Sequence, residues 1–254
     1  MKKRIDVLLV DRGLAPTRSR AQALIMSGNV LVNDRPVTKA GEVFLDAEET
    51  LIRVRGEDHP YVSRGGVKLA KALEVFGVSP AGKIGLDIGA STGGFTEVLL
   101  LAGASKVHAV DVGHSQLDWK IRSDARVKVY EKVNARELRF EQIGEKVGII
   151  VMDVSFISLE KIFPAICQFA LDSPGEETDW ITLIKPQFEV GREKVGKGGI
   201  VTSESDRLEA IERLSRFSET LGLERMNLIE SPITGTDGNK EFLAHWKLKL
   251  RPST

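Results

Sequence analysis

Residues 84–111 restrict the possible folds more than any other stretch. Ile84-Gly85-Leu86-Asp87-Ile88 is an apolar strand that runs into a glycine-rich turn, Gly89-Ala90-Ser91-Thr92-Gly93-Gly94-Phe95. Thr96–Leu101 reads as a helix. Val107-His108-Ala109-Val110-Asp111 is a second apolar strand, and it ends in an acid 22 residues after Gly89. Strand, tight turn, helix, strand, acid is the first half of a doubly wound sheet. Two further strands follow the same rule: Arg126–Tyr130, and Gly148–Met152 running into Asp153. A third, Ile181-Thr182-Leu183-Ile184, delivers Lys185 and then Pro186, which ends backbone donation to a ladder. Glu204–Leu221 is an amphipathic helix, and segments 224–229 and 242–248 read as a final antiparallel pair. The expected fold is α/β, with a seven-stranded, mostly parallel sheet.

The turn restricts the cofactor. A dinucleotide fingerprint requires glycine at its first, third and sixth positions, so that backbone can approach pyrophosphate. Here those positions are Gly89, Ser91 and Gly94, and Asp87 adds a carboxylate two residues before the turn. A carboxylate repels pyrophosphate but attracts a cation. S-adenosyl-L-methionine carries an ammonium and a sulfonium. "LDIGASTGGFTEVLL" accordingly resembles motif I of the class I (Rossmann-like) methyltransferases. The expected cofactor set is Asp87, Gly89, Ser91, Gly93, Gly94, Phe95, Asp111, Asn134 and Asp153. Within it, Asp111 suits ribose hydroxyls and Asn134 the adenine edge. Asp153 sits where open α/β sheets place ligands; Ser155 or Ser158 is a candidate cap for the helix that follows.

The first 60 residues differ in character. Net charge over all 254 residues is zero, yet residues 1–40 hold eight bases against three acids, and residues 41–60 two against six. A basic head of this kind suits nucleic acid. Arg4–Val10 has a helical stripe at 5, 8 and 9, stopped by Gly13. A second helix opens at Thr17 with a basic first turn, against the macrodipole preference, and ends at Gly28. Val30–Val37 reads as a hairpin turning at Asn33-Asp34, and Leu51–Val54 as a later strand. "TRSRAQALIMSGNVLVN" resembles the S-four RNA-binding domain. That resemblance implies recognition of folded RNA, with Arg4, Arg18, Ser19, Arg20 and Lys39 on the RNA face. The expected domains are a small α/β RNA-binding domain over 1–60 and a methyltransferase domain over 61–254, joined by a polar linker at about 55–64.

A lysine is costly to bury alone, so Lys185 at the tip of an apolar strand needs partners. Asp153 ends the preceding strand and is the expected neighbour. Lys68 lies at the start of a helix, Val67–Phe76, whose apolar face is 69, 72, 73 and 76. Glu241 stands at the start of the last strand. "RGGVKL", "MDVSFISL", "IKPQFE" and "GNKEF" together resemble the TlyA (haemolysin-A) family of ribosomal-RNA 2′-O-methyltransferases, related to the FtsJ-like enzymes. The resemblance implies a catalytic set of Lys68, Asp153, Lys185 and Glu241, with Lys185 as base or alkoxide stabiliser, and a cytidine in ribosomal RNA as target. The expected partners are ribosomal RNA or ribosomal subunits. The loop 187–200, with Arg192, Lys194 and Lys197 among its glycines, reads as a basic lid on RNA backbone, and Arg64 joins that RNA set.

Other classes are disfavoured. No apolar stretch approaches the ~20 residues that span a bilayer, and the start is too charged for a signal peptide. This points to a cytoplasmic protein and against a membrane-lysing role. The histidines 59, 108, 114 and 245 lack ligand spacing, so no metal is expected. Cys167, the lone cysteine, reads as a small buried side chain in a helix and not as a nucleophile for cytosine carbon-five chemistry. Amino-group methylation favours an Asn/Asp-Pro-Pro-aromatic turn, where this chain has Asp153-Val154-Ser155-Phe156. An RNA-binding protein with an inactive second domain is a poorer reading, because every catalytic position is filled.

Overall fold

The computed structural model describes residues 2–248 except 16, 27, 48, 55–58, 171, 174, 175 and 236. Part of the expected linker, residues 55–58, lies outside the described residues. The chain divides into two compact units, 1–58 and 59–254.

In the first unit, β1 (Lys2–Arg4) leads into α1 (Ile5–Asp11) and α2 (Arg18–Met26), followed by β2 (Val30–Val32), β3 (Arg35–Val37), β4 (Val43–Leu45) and β5 (Ile52–Val54). The stripe at Ile5, Leu8 and Leu9 packs with Ala21, Leu24 and Ile25 of α2 and with Val30, Val32 and Val37. Thr17 caps α2, its Oγ1 accepting from the Arg20 amide at 3.2 Å. The hairpin turns at Asn33 and Asp34, both left-handed (φ 50° and 62°), as a two-residue turn matched to strand twist requires. β3, β2 and β5 form one antiparallel sheet, and β1 pairs with β4 in a second. That second pair was not expected. Lys2–Arg4 has no apolar alternation, and its strand character comes from backbone pairing with residues 43–45.

The second unit begins with α3 (Gly65–Phe76). It continues through β6 (Ile84–Ile88), α4 (Gly94–Leu101), β7 (Lys106–Val110), α5 (Trp119–Arg122), β8 (Val127–Tyr130), α6 (Phe140–Ile143), β9 (Ile149–Met152) and α7 (Phe163–Ile166). A short pair, β10 (Asp172–Ser173) and β11 (Glu176–Glu177), precedes β12 (Asp179–Ile184), α8 (Pro186–Glu189), α9 (Glu204–Thr220), β13 (Leu223–Glu230) and β14 (Phe242–Leu248). The main sheet has seven strands in the order β13-β14-β12-β9-β6-β7-β8. β12, β9, β6, β7 and β8 run parallel, and β14 is antiparallel to both its neighbours.

Both faces of the sheet are covered, which explains why its strands read as nearly continuous apolar runs. Leu86, Ile88, Ile150, Met152, Trp180 and Trp246 face Phe163, Ile166, Ile211 and Leu214. Val107, Val151, Ile181 and Leu183 face Leu69, Leu73, Phe95 and Leu99. After β6 the chain builds outward through β7 and β8; it then returns to lay β9 on β6's other side. The carboxyl ends of β6 and β9 therefore flank a topological switch point, where such sheets open a crevice.

Two expectations need correction. Cys167 lies in helical backbone but is half-buried and not fully buried: α7 stops at Ile166, and Cys167 begins a short 3-10 helix. Burial raises its thiol pKa to about 11, which leaves it protonated and unreactive. Loop 187–200 is more ordered than a loose lid. It begins inside α8, where Pro186 suits the first helical turn, and it contains 3-10 turns at 192–194 and 197–199.

Candidate active site

The sheet's registers bring residues distant in sequence to one rim. Ile88 pairs with Met152, so Gly89 and Asp153 leave the sheet side by side, the Asp153 amide donating to the Ile88 carbonyl at 3.0 Å. Ile184 pairs with Phe242 across the antiparallel ladder. Lys185, one residue past Ile184, and Glu241, one residue before Phe242, therefore occupy the next position on that rim. α3 adds Lys68, buried at 8% exposure. Gly65, one helical turn before Lys68, lies against the same rim: a Cβ there would stand 3.7 Å from Asp153 Oδ2.

The four candidate catalytic residues form two ion pairs. Lys68 Nζ pairs with Glu241 Oε2. Lys185 Nζ lies 2.6 Å from Asp153 Oδ1 and donates to Ser155 Oγ at 2.8 Å. Two lysines and two carboxylates sum to zero charge, which lowers the cost of taking them from water. Glu241 is held from behind. A Cβ at Gly235 would approach its Oε1 to 2.6 Å. Asn239, almost fully buried, accepts from the Val201 amide at 3.0 Å and donates to the Gly199 carbonyl at 2.9 Å. The 199–201 backbone is thereby fixed to a residue two positions from Glu241.

Beside these pairs lies a cleft of about 440 Å³, lined by Gly89, Ser91, Asp111, Asn134, Asp153 and Ser155 among others. Gly89 has φ +84°, and a Cβ there would collide with the Asp153 carbonyl, so both backbone freedom and space require glycine. Asp111 accepts from the Ser91 amide at 2.8 Å and the Gly113 amide at 2.6 Å, which fixes its carboxylate at the cleft wall. Asn134 caps the turn at 135–137 by accepting from the Arg136 amide.

Asp87 alternates to the opposite face of β6 from Leu86 and Ile88. It is fully buried, and Oδ2 accepts from the Thr96 hydroxyl at 2.6 Å. Its Oδ1 is buried with no hydrogen-bond partner among the described residues. Burial, reinforced by the negative charge of Asp153 and Asp111 and opposed by Thr96, raises its pKa to about 7. With Asp153 offset by Lys185, Asp87 and Asp111 still leave negative charge under the turn, which suits a cationic ligand and would repel pyrophosphate. The residues thus fit S-adenosylmethionine.

Gly93, Gly94 and Phe95 stand behind the cleft and not on its wall. Gly93 starts α4 in the left-handed region, Gly94 admits Ser63 and the Gly66 amide, and Phe95 is a core side chain. Sequence reasoning did not place Ser155 or Phe156 in the site. Phe156 lines the cleft mouth at 90% exposure with φ +65°, and its ring lies 5.1 Å from that of Phe188. The available signal was an aromatic residue three positions past Asp153.

Residues 61–248 match the FtsJ-like methyltransferase family, and residues 3–44 match the S4 domain. The 16S/23S rRNA (cytidine-2′-O)-methyltransferase TlyA of Mycobacterium tuberculosis is 42% identical over 95% of this chain and 88% of its own. The chain belongs to the TlyA (hemolysin A) family. YqxC of Bacillus subtilis is 47% identical over 96% of this chain and 85% of its own. A solved hemolysin-type protein from Streptococcus thermophilus covers 99% of this chain and 90% of its own, at 42% identity and a TM-score of 0.76.

The TlyA-family S4 domain presents its bases in a built arrangement. Asp6, fully buried, accepts from Arg4 at 2.9 Å, Arg18 at 3.1 Å and Gln22 at 2.9 Å. The Arg4 guanidinium, with Gln22 and Arg18, holds the Asp6 carboxyl far below the usual carboxylate range. Arg4 and Arg18 remain half exposed while so anchored; Ser19 and Lys39 are exposed and Arg20 partly so. In the FtsJ-like unit, Arg64 donates to the Thr234 carbonyl at 3.3 Å, and Arg192 and Lys197 are exposed. Lys194 is already paired: it contacts Asp206 at 2.9 Å and Glu209 at 2.6 Å, both on α9. It braces the loop and is a poor candidate for phosphate contact.

Proposed function

We propose that Lys185 carries out the proton chemistry when this enzyme methylates a ribose 2′-hydroxyl. The observation behind this reading is the placement of the Lys185 amine, 2.6 Å from Asp153 and 2.8 Å from Ser155, where two cleft-lining residues meet it. The enzyme is an S-adenosylmethionine-dependent rRNA (cytidine-2′-O)-methyltransferase, and its substrate is ribosomal RNA.

S-adenosylmethionine, when bound, supplies an electrophilic methyl group on a sulfonium. Asp111 and Asn134 would hold its nucleoside, and the acids under the Gly89 turn would meet its positive charge. A 2′-hydroxyl is a poor nucleophile until its proton is shared. As a neutral amine Lys185 takes that proton; as an ammonium it stabilises the developing alkoxide. Asp153 and Ser155 fix where the amine points. The Lys68–Glu241 pair holds a second positive charge beside the reacting oxygen without adding net charge. Phe156, exposed at the cleft mouth, offers a face on which a base can stack, a contact worth about 1–3 kcal/mol.

In the S4 domain, Arg4 and Arg18 supply phosphate contacts pre-set by Asp6. The partner is ribosomal RNA, free or within a ribosomal subunit, and a cytoplasmic site of action is the reading that fits such a partner. Purified protein, S-adenosylmethionine and rRNA or subunits lacking the modification provide the test, with the RNA digested to nucleosides for mass spectrometry. The expected product is 2′-O-methylcytidine from the native protein and at least about 100-fold less of it from Lys185→Ala. A base-methylated nucleoside, or undiminished product from Lys185→Ala, overturns the reading.

A further inference from the structure

Glu189 closes the "IKPQFE" segment, and the proton chemistry of Lys185 makes no direct use of it. It is a carboxylate at 4% exposure, and both its oxygens are engaged. Oε2 accepts from the Ser158 hydroxyl at 2.6 Å, and Oε1 accepts from the Leu159 amide at 2.9 Å. Ser158 is itself oriented, because its Oγ also accepts from the Glu160 amide at 3.2 Å. A surface acid needs none of this, and a buried acid that served only packing would be replaced at lower cost by an apolar side chain.

The two segments that Glu189 joins are the ones that meet at the reaction centre. One is 153–159, carrying Asp153, Ser155 and Phe156; the other is 185–189, carrying Lys185. They run beside each other and touch at three levels: Lys185 on Asp153 and Ser155, Phe188 on Phe156, and Glu189 on Ser158 and Leu159. Arg213 of α9 adds an outer clasp across the same pair, donating to the Glu189 carbonyl and, at 3.0 Å, to Glu160 Oε1. The first contact involves the reacting groups. The Glu189 grip and the Arg213 clasp lie a full turn of α8 away from them and serve geometry alone.

We propose that Glu189 is a positioning residue for methyl transfer: its buried carboxylate, gripping Ser158 and Leu159, sets the Lys185 turn against the Asp153–Ser155 loop. This rests on the assignment of Lys185 above. An amine displaced by even an ångström loses the aligned geometry on which in-line transfer depends, and such displacements cost up to about 100-fold in rate.

Full-length Glu189→Ala, Glu189→Gln and Ser158→Ala are compared with the native protein in single-turnover methylation of rRNA, cofactor binding by calorimetry, and thermal melting. Glu189→Ala is expected to lower kcat roughly 10- to 100-fold, with the RNA KM and cofactor Kd within about twofold. Glu189→Gln should recover most of the loss, because its amide oxygen still accepts from Leu159 and its NH2 can donate to Ser158 Oγ. Ser158→Ala, which cuts one leg only, should fall between them. In a Ser155→Ala background, the Glu189→Ala loss should shrink to less than about threefold, because both changes act on one amine.

The proposal is overturned if kcat is unchanged, if the losses follow melting temperature across the three variants, or if they are undiminished in the Ser155→Ala background. Should Glu189→Ala not fold, Glu189→Gln and Ser158→Ala decide the question by the same criteria. Lys185→Ala separates the two claims. If it is inactive while Glu189→Ala turns over normally, the brace fails and the base assignment stands. If it is active, the base assignment fails first.

Discussion

At the residue scale, the site depends on what each carboxylate is bonded to. Asp153 is paired with a lysine, Asp111 with two amides, and Asp87 with Thr96 through one oxygen, the other having no hydrogen-bond partner among the described residues. Lys185→Ala removes the amine that Asp153 and Ser155 hold, so methyl transfer should fall by roughly 10²–10⁴-fold while cofactor affinity survives. Radiolabelled methyl incorporation and calorimetry read the two quantities separately. Asp87 has a signature in pH. Its folded pKa of about 7 exceeds the unfolded value of 3.8. The folded state therefore binds the extra proton between those values, and stability declines as pH rises from about 4 through 7, by a few kcal/mol at most. Asp87→Asn cannot ionise, so its melting temperature between pH 5 and 8 should fall less steeply than the native protein's. Parallel slopes for the two proteins would mean that Asp87 does not titrate in this range.

At the element scale, the glycine turn and the S4 helices show what local sequence can and cannot specify. Gly89 leaves β6 with φ +84° under the Asp153 carbonyl. Gly89→Ala should weaken cofactor binding at least about tenfold, with strain on the order of 1–3 kcal/mol, as measured by calorimetry and chemical denaturation. In the S4 domain, Asp6 ties α1 to α2 through Arg18 and Gln22. Its carboxyl is depressed, so its contribution is present above the unfolded pKa and is lost as pH falls below about 4. Asp6→Ala should loosen this unit and lower RNA affinity, which hydrogen exchange and filter binding would register. The stripe at 5, 8 and 9, the Thr17 cap and the Asn33-Asp34 turn were legible because each is a local signal. β1 and β4 were not, because their pairing is a backbone matter between segments that carry no strand pattern.

At the scale of the whole molecule, a chain of zero net charge binds RNA through the distribution of its charge. The affinity of the full chain for rRNA should fall with salt, and replacing both Arg4 and Arg18 by glutamine should flatten the log–log slope by about 1.5. An unchanged slope would place the phosphate contacts elsewhere. The doubly wound sheet and the Asp153–Lys185 neighbourhood could be read in advance, since consecutive strands lie side by side. The Lys68–Glu241 pair spans 173 residues and followed only from a family likeness, because no local pattern encodes the register that unites them. Ser155 escaped for a related reason: its role is visible only once Lys185 reaches it. β14, the last described strand in sequence, lies inside the sheet between β13 and β12, and it delivers Glu241. A nascent or prematurely terminated chain that lacks this strand therefore also lacks the acid that pairs with Lys68, and the proposed reaction centre is complete only once translation has passed it.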